Sequence, residues 1–328
     1  MNIFVCYRPN HILKALLYSF YNGNKEDYFI IGTGEVKDTD VLAMKIKALG
    51  YKVYTVNYIC LQKNIIQKNK YIKTIFNLFK SQSISKKYIN FDLNILNNTK
   101  KLFLFQDQNF LAHYFINECY IKNIEINLIE DGAGNYLPKQ NGKNKIKLLS
   151  GILPNGYNRK IKNVYLFQPN LYKGFYKNKI KLLKNKYLSF TFNDNFNDLL
   201  KDLFNIENMC FNNDLSYTFI LTQPLQTIGI SEIDQIEIYK KIASNYKNKV
   251  ILKIHPQDNI DYSNIFKNTI DGLVPFELIL NSIPRESKIV SLFSASSSYQ
   301  DKFIHYNIID PFSKNKKDDI LTIIKESK

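Results

Sequence analysis

The 328 residues carry 45 Lys and Arg against 29 Asp and Glu, a formal net charge of +16, with 45% apolar and 23% charged side chains. That balance describes a globular chain long enough for two ordinary domains and excludes a disordered or fibrous one. No run of 18 apolar residues occurs, and "MNIFVCYRPNHILKALL" lacks a basic start before a long apolar stretch, so neither a spanning helix nor a signal peptide is expected and the chain reads as cytoplasmic.

In chain order, "NIFVCY" reads as a short buried strand and "PNHILKALLYSF" as the helix after it. "DYFIIGTG" is a second strand, "DTDVLAMKIKALG" a helix closed by Gly50, and "YKVYTVNYI" a third strand. "KKLFLFQD" and "IEINLIED" continue the alternation, which predicts parallel βαβ units with helices on both faces of a sheet. Residues 137 to about 215 parse less clearly, with "KNVYLFQP" and "KYLSFTFN" as strands among basic, Asn-rich connections. From Tyr217 the pattern returns as strand "YTFIL", helix "SEIDQIEIYKKIASNY", strand "KVILKI", helix "PFELILNSI" and strand "SKIVSLF". A helical "SSSYQDKFI" and strand "YNIID" follow. The fold class expected is therefore α/β, with two Rossmann-like domains, 1–195 and 196–328, facing each other across a cleft.

Cys6, Cys60, Cys119 and Cys210 are far apart and form no C-x-x-C pair, so they read as reduced, buried thiols. Charge is unevenly spread. No acidic residue lies between Asp131 and Asp194, and "KNIIQKNKYIKTIFNLFK" sets Ile65, Ile72, Ile75 and Phe79 at helical spacing among lysines. A basic amphipathic helix of that kind suits an anionic membrane surface or simply a solvated face.

Ligands of open α/β sheets sit outside the carboxyl ends of the strands, so polar residues there carry the functional reading. Four strand ends qualify: Glu130-Asp131-Gly132, Thr222-Gln223, His255-Pro256 and the hydroxyl run with Ser294, Ser296 and Ser297. His255 is held by the ring of Pro256 and flanked by Lys253, a setting for a proton or positive charge delivered to a phosphate. The serine run before a helix is an anion site or an ordinary cap. Glu277 opens a helix between these motifs and can accept ribose hydroxyls or complement the helix dipole. Asp131, relieved of crowding by Gly132, can take a proton from a substrate hydroxyl while Glu130 orients it or caps the loop. Asp38-Thr39-Asp40 has the spacing of a metal-binding D-x-D, but its place at a helix start makes Asp38 an N-cap, and no metal is expected.

The order Glu-Asp-Gly, Lys-x-His-Pro, then a Ser-rich strand end resembles the bacterial sialyltransferases, most closely glycosyltransferase family 52, the lipooligosaccharide and capsule sialyltransferases. "TQP" and a Pro-x-Glu before the serines fit as well, and the likeness runs from "NIFVCYRPNHIL" to the serine cluster. This resemblance implies a GT-B fold, a CMP-sialic acid donor, inversion, a glycan or glycolipid acceptor and no metal or other cofactor. It implies that His255 protonates or stabilises the departing phosphate, that Lys253, Ser296 and Ser297 hold it, and that Glu277 holds the ribose. Asp131 is the first choice for the base, and Asp234, near Glu232 in the helix capped by Ser231, is the second. It admits a homodimer and a peripheral place on the inner face of the cytoplasmic membrane. Rival readings are a GT-B transferase for Kdo, polysialyl or hexosyl groups, and, from another class, a basic nucleic-acid-binding protein. No binding motif of that class is recognised, so no nucleic-acid partner is expected.

Overall fold

The computed structural model describes residues 1–65, 88–107, 109–131, 135–136, 156–172, 177–183, 194–206, 211–293, 304–309 and 315–325. The chain divides into two compact units, Met1–Thr191 and Phe192–Lys328, each with its own sheet.

In the first unit the order is β1 (Asn2–Cys6), α1 (Pro9–Tyr21), β2 (Tyr28–Thr33), α2 (Thr39–Ala48), β3 (Lys52–Asn57) and α3 (Tyr58–Ile65). After these come β4 (Lys101–Leu104), α4 (Phe110–Ile121), β5 (Glu125–Ile129), β6 (Asn163–Leu166) and β7 (Ile180–Leu182). The strands assemble in the order β3-β2-β1-β4-β5-β6-β7, and every described pairing is parallel. A parallel sheet is covered on both faces, which is why "IFVC" and "FIIG" read as continuous apolar runs. Phe4 of β1 stacks on Phe103 of β4 at 5.1 Å and on Phe29 of β2 at 5.5 Å between ring centroids. Pro9 opens α1 with its φ already set for a helix, and Asn109 caps α4 by accepting the Ala112 N–H at 2.8 Å.

The second unit runs α5 (Asp194–Phe204), β8 (Tyr217–Leu221), α6 (Glu232–Ser244), β9 (Lys249–Lys253), β10 (Thr269–Ile270), α7 (Phe276–Ile279), β11 (Lys288–Ser291), β12 (Ile304–Asn307) and α8 (Lys316–Lys325). Its sheet order is β10-β9-β8-β11-β12, again all parallel. Numbered from its own first strand this is 3-2-1-4-5, the pattern that also begins the first sheet, so both units are Rossmann-like. In each, the strand order reverses beside the first strand, at β1/β4 and at β8/β11.

Several expectations change. The helix expected over "PFELILNSI" is one α-turn, Phe276–Ile279, followed by a 3-10 turn at Leu280–Ser282, because prolines at 275 and 284 bracket it. The third strand stops at Asn57, and Tyr58 already begins α3. Asp38 does stand before α2, but in the left-handed region (φ 56°) with no capping hydrogen bond from its side chain. Cys6 and Cys119 are buried, whereas Cys60 on α3 is exposed. Cys210, all of "KYLSFTFN", the basic segment "KNIIQKNKYIKTIFNLFK" beyond its residue 65 and most of "SSSYQDKFI" lie outside the described residues. Among the described residues no helix is long and apolar enough to cross a membrane.

Candidate active site

At the β1/β4 switch point of the first unit, four side chains converge. Arg8 and His11 follow β1, Gln106 follows β4 and Asp131 follows β5. His11 Nδ1 accepts the Tyr7 N–H at 3.2 Å, which puts the ring proton on Nε2, and that N–H donates to Asp131 Oδ1 at 2.6 Å. Gln106 Nε2 donates to Asp131 Oδ2 at 2.9 Å and Arg8 Nη1 lies 3.5 Å from the same oxygen. Burial pushes the Asp131 carboxyl up, but His11, Arg8 and Gln106 outweigh it and hold the group well below the usual carboxylate range. Burial lowers His11 against the pull of Asp131, so the ring is neutral beside an ionised carboxylate. The Asp131 side chain keeps 18% exposure while His11 has none. A ligand can therefore meet the carboxylate and not the imidazole.

Glu130 is fully buried and holds the loop together. It accepts the Tyr136 hydroxyl and, at 2.9 Å, the Phe167 N–H, while Lys14 donates to its carbonyl at 3.0 Å. Burial raises its carboxyl against these donors. Gly132 and Gly134 lie outside the described residues.

In the second unit the strand ends of β8 and β9 lie side by side. His255 is half-buried, and its N–H donates to Thr222 Oγ1 at 2.8 Å. The Gln257 N–H meets His255 Nδ1 at 3.1 Å, so the neutral ring carries its proton on Nε2. Lys253 is only 5% exposed, with its ammonium donating to Ile254 O at 2.6 Å and Asp271 O at 2.8 Å. Burial lowers its pKa to about 7, against the opposing charges of Asp271 and Glu277. Both carbonyls are held by the one Nζ, so Lys253 ties the His-Pro turn to the loop after β10. Gly272 lets that loop approach: a Cβ there would lie 3.1 Å from His255 O and 3.2 Å from Pro256 Cα.

Thr222 is 1% exposed and committed to His255 and Asp258, so its hydroxyl serves the turn from within. Gln223 is held through its backbone, its N–H donating to Tyr239 OH at 2.6 Å. Glu277 stands in the first turn of α7 and is half-buried. Asp234 stands in the first turn of α6, where Ser231 Oγ accepts its N–H at 3.1 Å and donates to its carboxylate at 2.7 Å. That is a cap reinforced by its own carboxylate. Ser294, Ser296 and Ser297 lie outside the described residues.

A family model, "Glycosyltransferase family 52", matches residues 41–303. The chain belongs to glycosyltransferase family 52. A Haemophilus influenzae relative described as an uncharacterized protein is 29% identical over 193 residues, which span 57% of the family 52 chain and 63% of that relative. Arabidopsis thaliana UGT89C1 complexed with UDP-L-rhamnose aligns over 99% of the chain and 82% of its own, with TM-score 0.53 and 9% identity. The spinosyn rhamnosyltransferase SpnG aligns over 98% and 84%, with TM-score 0.51 and 10% identity. A UDP complex of S. aureus MnaA aligns over 99% and 87%, with TM-score 0.50 and 11% identity. These likenesses identify the fold as GT-B, built of two Rossmann-like units.

Sequence reasoning gave no functional role to Arg8, His11, Gln106, Gln235 and Asp258. The strand-end rule applied to "CYRPNH" and "LFQDQN" finds the first three, since these segments follow β1 and β4 as Glu130 and Asp131 follow β5.

Proposed function

We propose that this family 52 glycosyltransferase moves sialic acid from CMP-sialic acid, with inversion and without a metal ion, to a terminal sugar hydroxyl. The acceptor envisaged is galactose on a lipooligosaccharide or capsule glycan. The observation that carries the reading is His255, a ring fixed by Pro256, Thr222 and the Gln257 N–H, with its N–H at Nε2 and its place at the carboxyl end of β9, next to β8. The bond from the anomeric carbon to the phosphate oxygen breaks as the acceptor oxygen bonds that carbon from the opposite face. His255 Nε2–H meets the charge growing on the departing phosphate, with the hydroxyls of Ser294, Ser296 and Ser297 beside it. Lys253 adds positive field from beneath the turn, and Glu277 takes the ribose.

The acceptor proton passes to a carboxylate, for which Asp131 is the first choice. It is ionised, partly exposed and oriented by three donors. Asp234, bound up in the Ser231 cap, is the second. In this reading the first unit serves the acceptor and the second the donor. The basic segments serve an anionic membrane surface at the inner face of the cytoplasmic membrane, the protein works as a homodimer, and no nucleic acid is bound.

The test is turnover of labelled CMP-sialic acid in EDTA, alongside UDP-hexoses and CMP-Kdo. His255→Ala is expected to lose at least about a hundredfold in transfer with an unchanged circular dichroism spectrum. Asp131→Asn, compared with Asp234→Asn, assigns the base. Turnover of CMP-Kdo or a UDP-sugar in place of CMP-sialic acid rejects the donor, and a fully active His255→Ala rejects the imidazole's role.

A further inference from the structure

Beneath the His255 turn lies a buried polar network that the mechanism above leaves unused. Its hub is Gln235, fully buried in the first turns of α6. Its Oε1 accepts the Leu225 N–H at 3.0 Å, and its Nε2 reaches Gln223 O and Asp258 Oδ2, each at 2.9 Å, and Tyr262 OH at 2.7 Å. Asp258 also accepts the Tyr262 hydroxyl at 2.9 Å and that of Thr222, and its own N–H donates to His255 O at 2.9 Å. Thr222 Oγ1 in turn accepts the His255 N–H. One amide thus joins the loop leaving β8 to the turn leaving β9, from both sides of His255.

An amide meets every demand of the position, which must accept one backbone N–H and donate to a carbonyl and a carboxylate. A hydrocarbon would leave the Leu225 N–H and the Gln223 carbonyl with only their bond to each other at 2.9 Å, and would take one donor from Asp258 in a dry interior. We propose that Gln235 is a positioning residue for the transfer reaction: it sets the loop of Thr222 against the His255-Pro256 turn and thereby the point to which His255 Nε2 is delivered. This rests on the reading of His255 as the group that meets the departing phosphate. Displacing such a group by about 1 Å costs on the order of a hundredfold in turnover.

Gln235→Leu and the isosteric Gln235→Glu test it in the full-length protein. The titratable groups facing the amide are Asp258, Tyr239 and Tyr262, and burial holds both phenols far above their ordinary range, so in Gln235→Glu only the two carboxyls titrate. At low pH they share a proton and keep a hydrogen bond; as pH rises both ionise and repel. Gln235→Leu is expected to lower kcat about ten- to hundredfold at every pH with KM for the donor within about threefold. Gln235→Glu is expected near wild-type kcat at pH 5.5 and to fall at least about tenfold by pH 8 relative to wild type. The His255 ring resonance, assigned by its loss in His255→Ala, is expected to move in Gln235→Leu while that of His113 does not. An unmoved resonance, or an unchanged kcat in both variants with only the melting temperature lowered, overturns the proposal. If His255→Ala itself stays active, the imidazole's chemical role fails by that result alone, and the resonance still decides whether Gln235 positions the ring.

Discussion

Asp131 is ionised because three neighbours donate to it, and the same donors weaken it as a base, so with Asp131 as the proposed base its environment sets how far into acid transfer extends. Gln106→Leu removes the 2.9 Å donor without touching the neutral His11 partner. A hydrogen bond to a charged group is worth about 1.5–3 kcal/mol, so the Asp131 carboxyl should rise by roughly one to two pH units. The acid limb of kcat/KM should move up by that amount, and a limb that stays put means another group governs it. A carboxylate whose folded value is depressed stabilises the fold above the unfolded value near 4 and loses that contribution as pH falls toward the folded one. Acid unfolding of Gln106→Leu should accordingly begin at higher pH. Asp131 was visible in the sequence as a carboxylate between a strand and a glycine. His11 was not, because its partner is 120 positions away and is reached only once β1 and β5 enter one sheet. Lys253 shows the reverse case. "K-x-H-P" suggested a ligand contact, yet the residue closes an apolar strand, "VILK", and its ammonium turns in to two carbonyls.

At the scale of elements, the β8/β9 strand ends are built as a clamp. Thr222 holds the His255 N–H from one side, and Lys253 and the close approach of Gly272 fix the turn from the other. Gly272 has no positive φ to protect, so what it provides is room. Gly272→Ala must push His255 O and Pro256 back by a few tenths of an ångström. We expect it to cost about 1–3 kcal/mol in stability and several-fold in kcat, read by thermal unfolding and steady-state turnover. Equal kcat with an unshifted His255 ring resonance would show that the turn absorbs the methyl elsewhere. Strands β1 to β6, β8, β9 and β11 could be read because buried parallel strands are short apolar runs between turn residues, whereas β10, only Thr269–Ile270, is too short to show such a run. β7, "IKL", could not: it is a three-residue edge strand with a lysine at its centre, and its backbone pairing with β6 rather than its side chains makes it a strand. The amphipathic α5 went unread within a Lys- and Asn-rich stretch where apolar spacing is diluted.

Across the whole molecule, the two sheets carry separate cores. One centres on Ile3, Val5, Leu102, Leu104 and Leu128 and the others on Ile220, Leu252, Val290 and Phe219, Ile251, Ile289, so binding energy delivered to one unit stabilises that unit first. The strand orders made this legible only after folding. Sequence spacing predicts βαβ units, whereas the strand order is what collects Arg8, His11, Gln106 and Asp131 in one place and Thr222 and His255 in another. If the donor nucleotide is held in the second unit as proposed, CMP should slow amide exchange in β8, β9 and β11 and in α6 through Gln235, and leave β1, β4 and β5 near their free rates. At CMP about a hundred times its Kd the gain is about 2.7 kcal/mol, a roughly hundredfold slowing for amides that exchange by opening of that unit. Phe4→Ala, which removes a ring stacked between β2 and β4, should lower stability by about 3–5 kcal/mol in the first unit and leave the CMP-dependent protection of β8 and β9 intact. Protection that appears instead in β1 and β4 on CMP binding would move the nucleotide to the Asp131 site and exchange the roles of the two units.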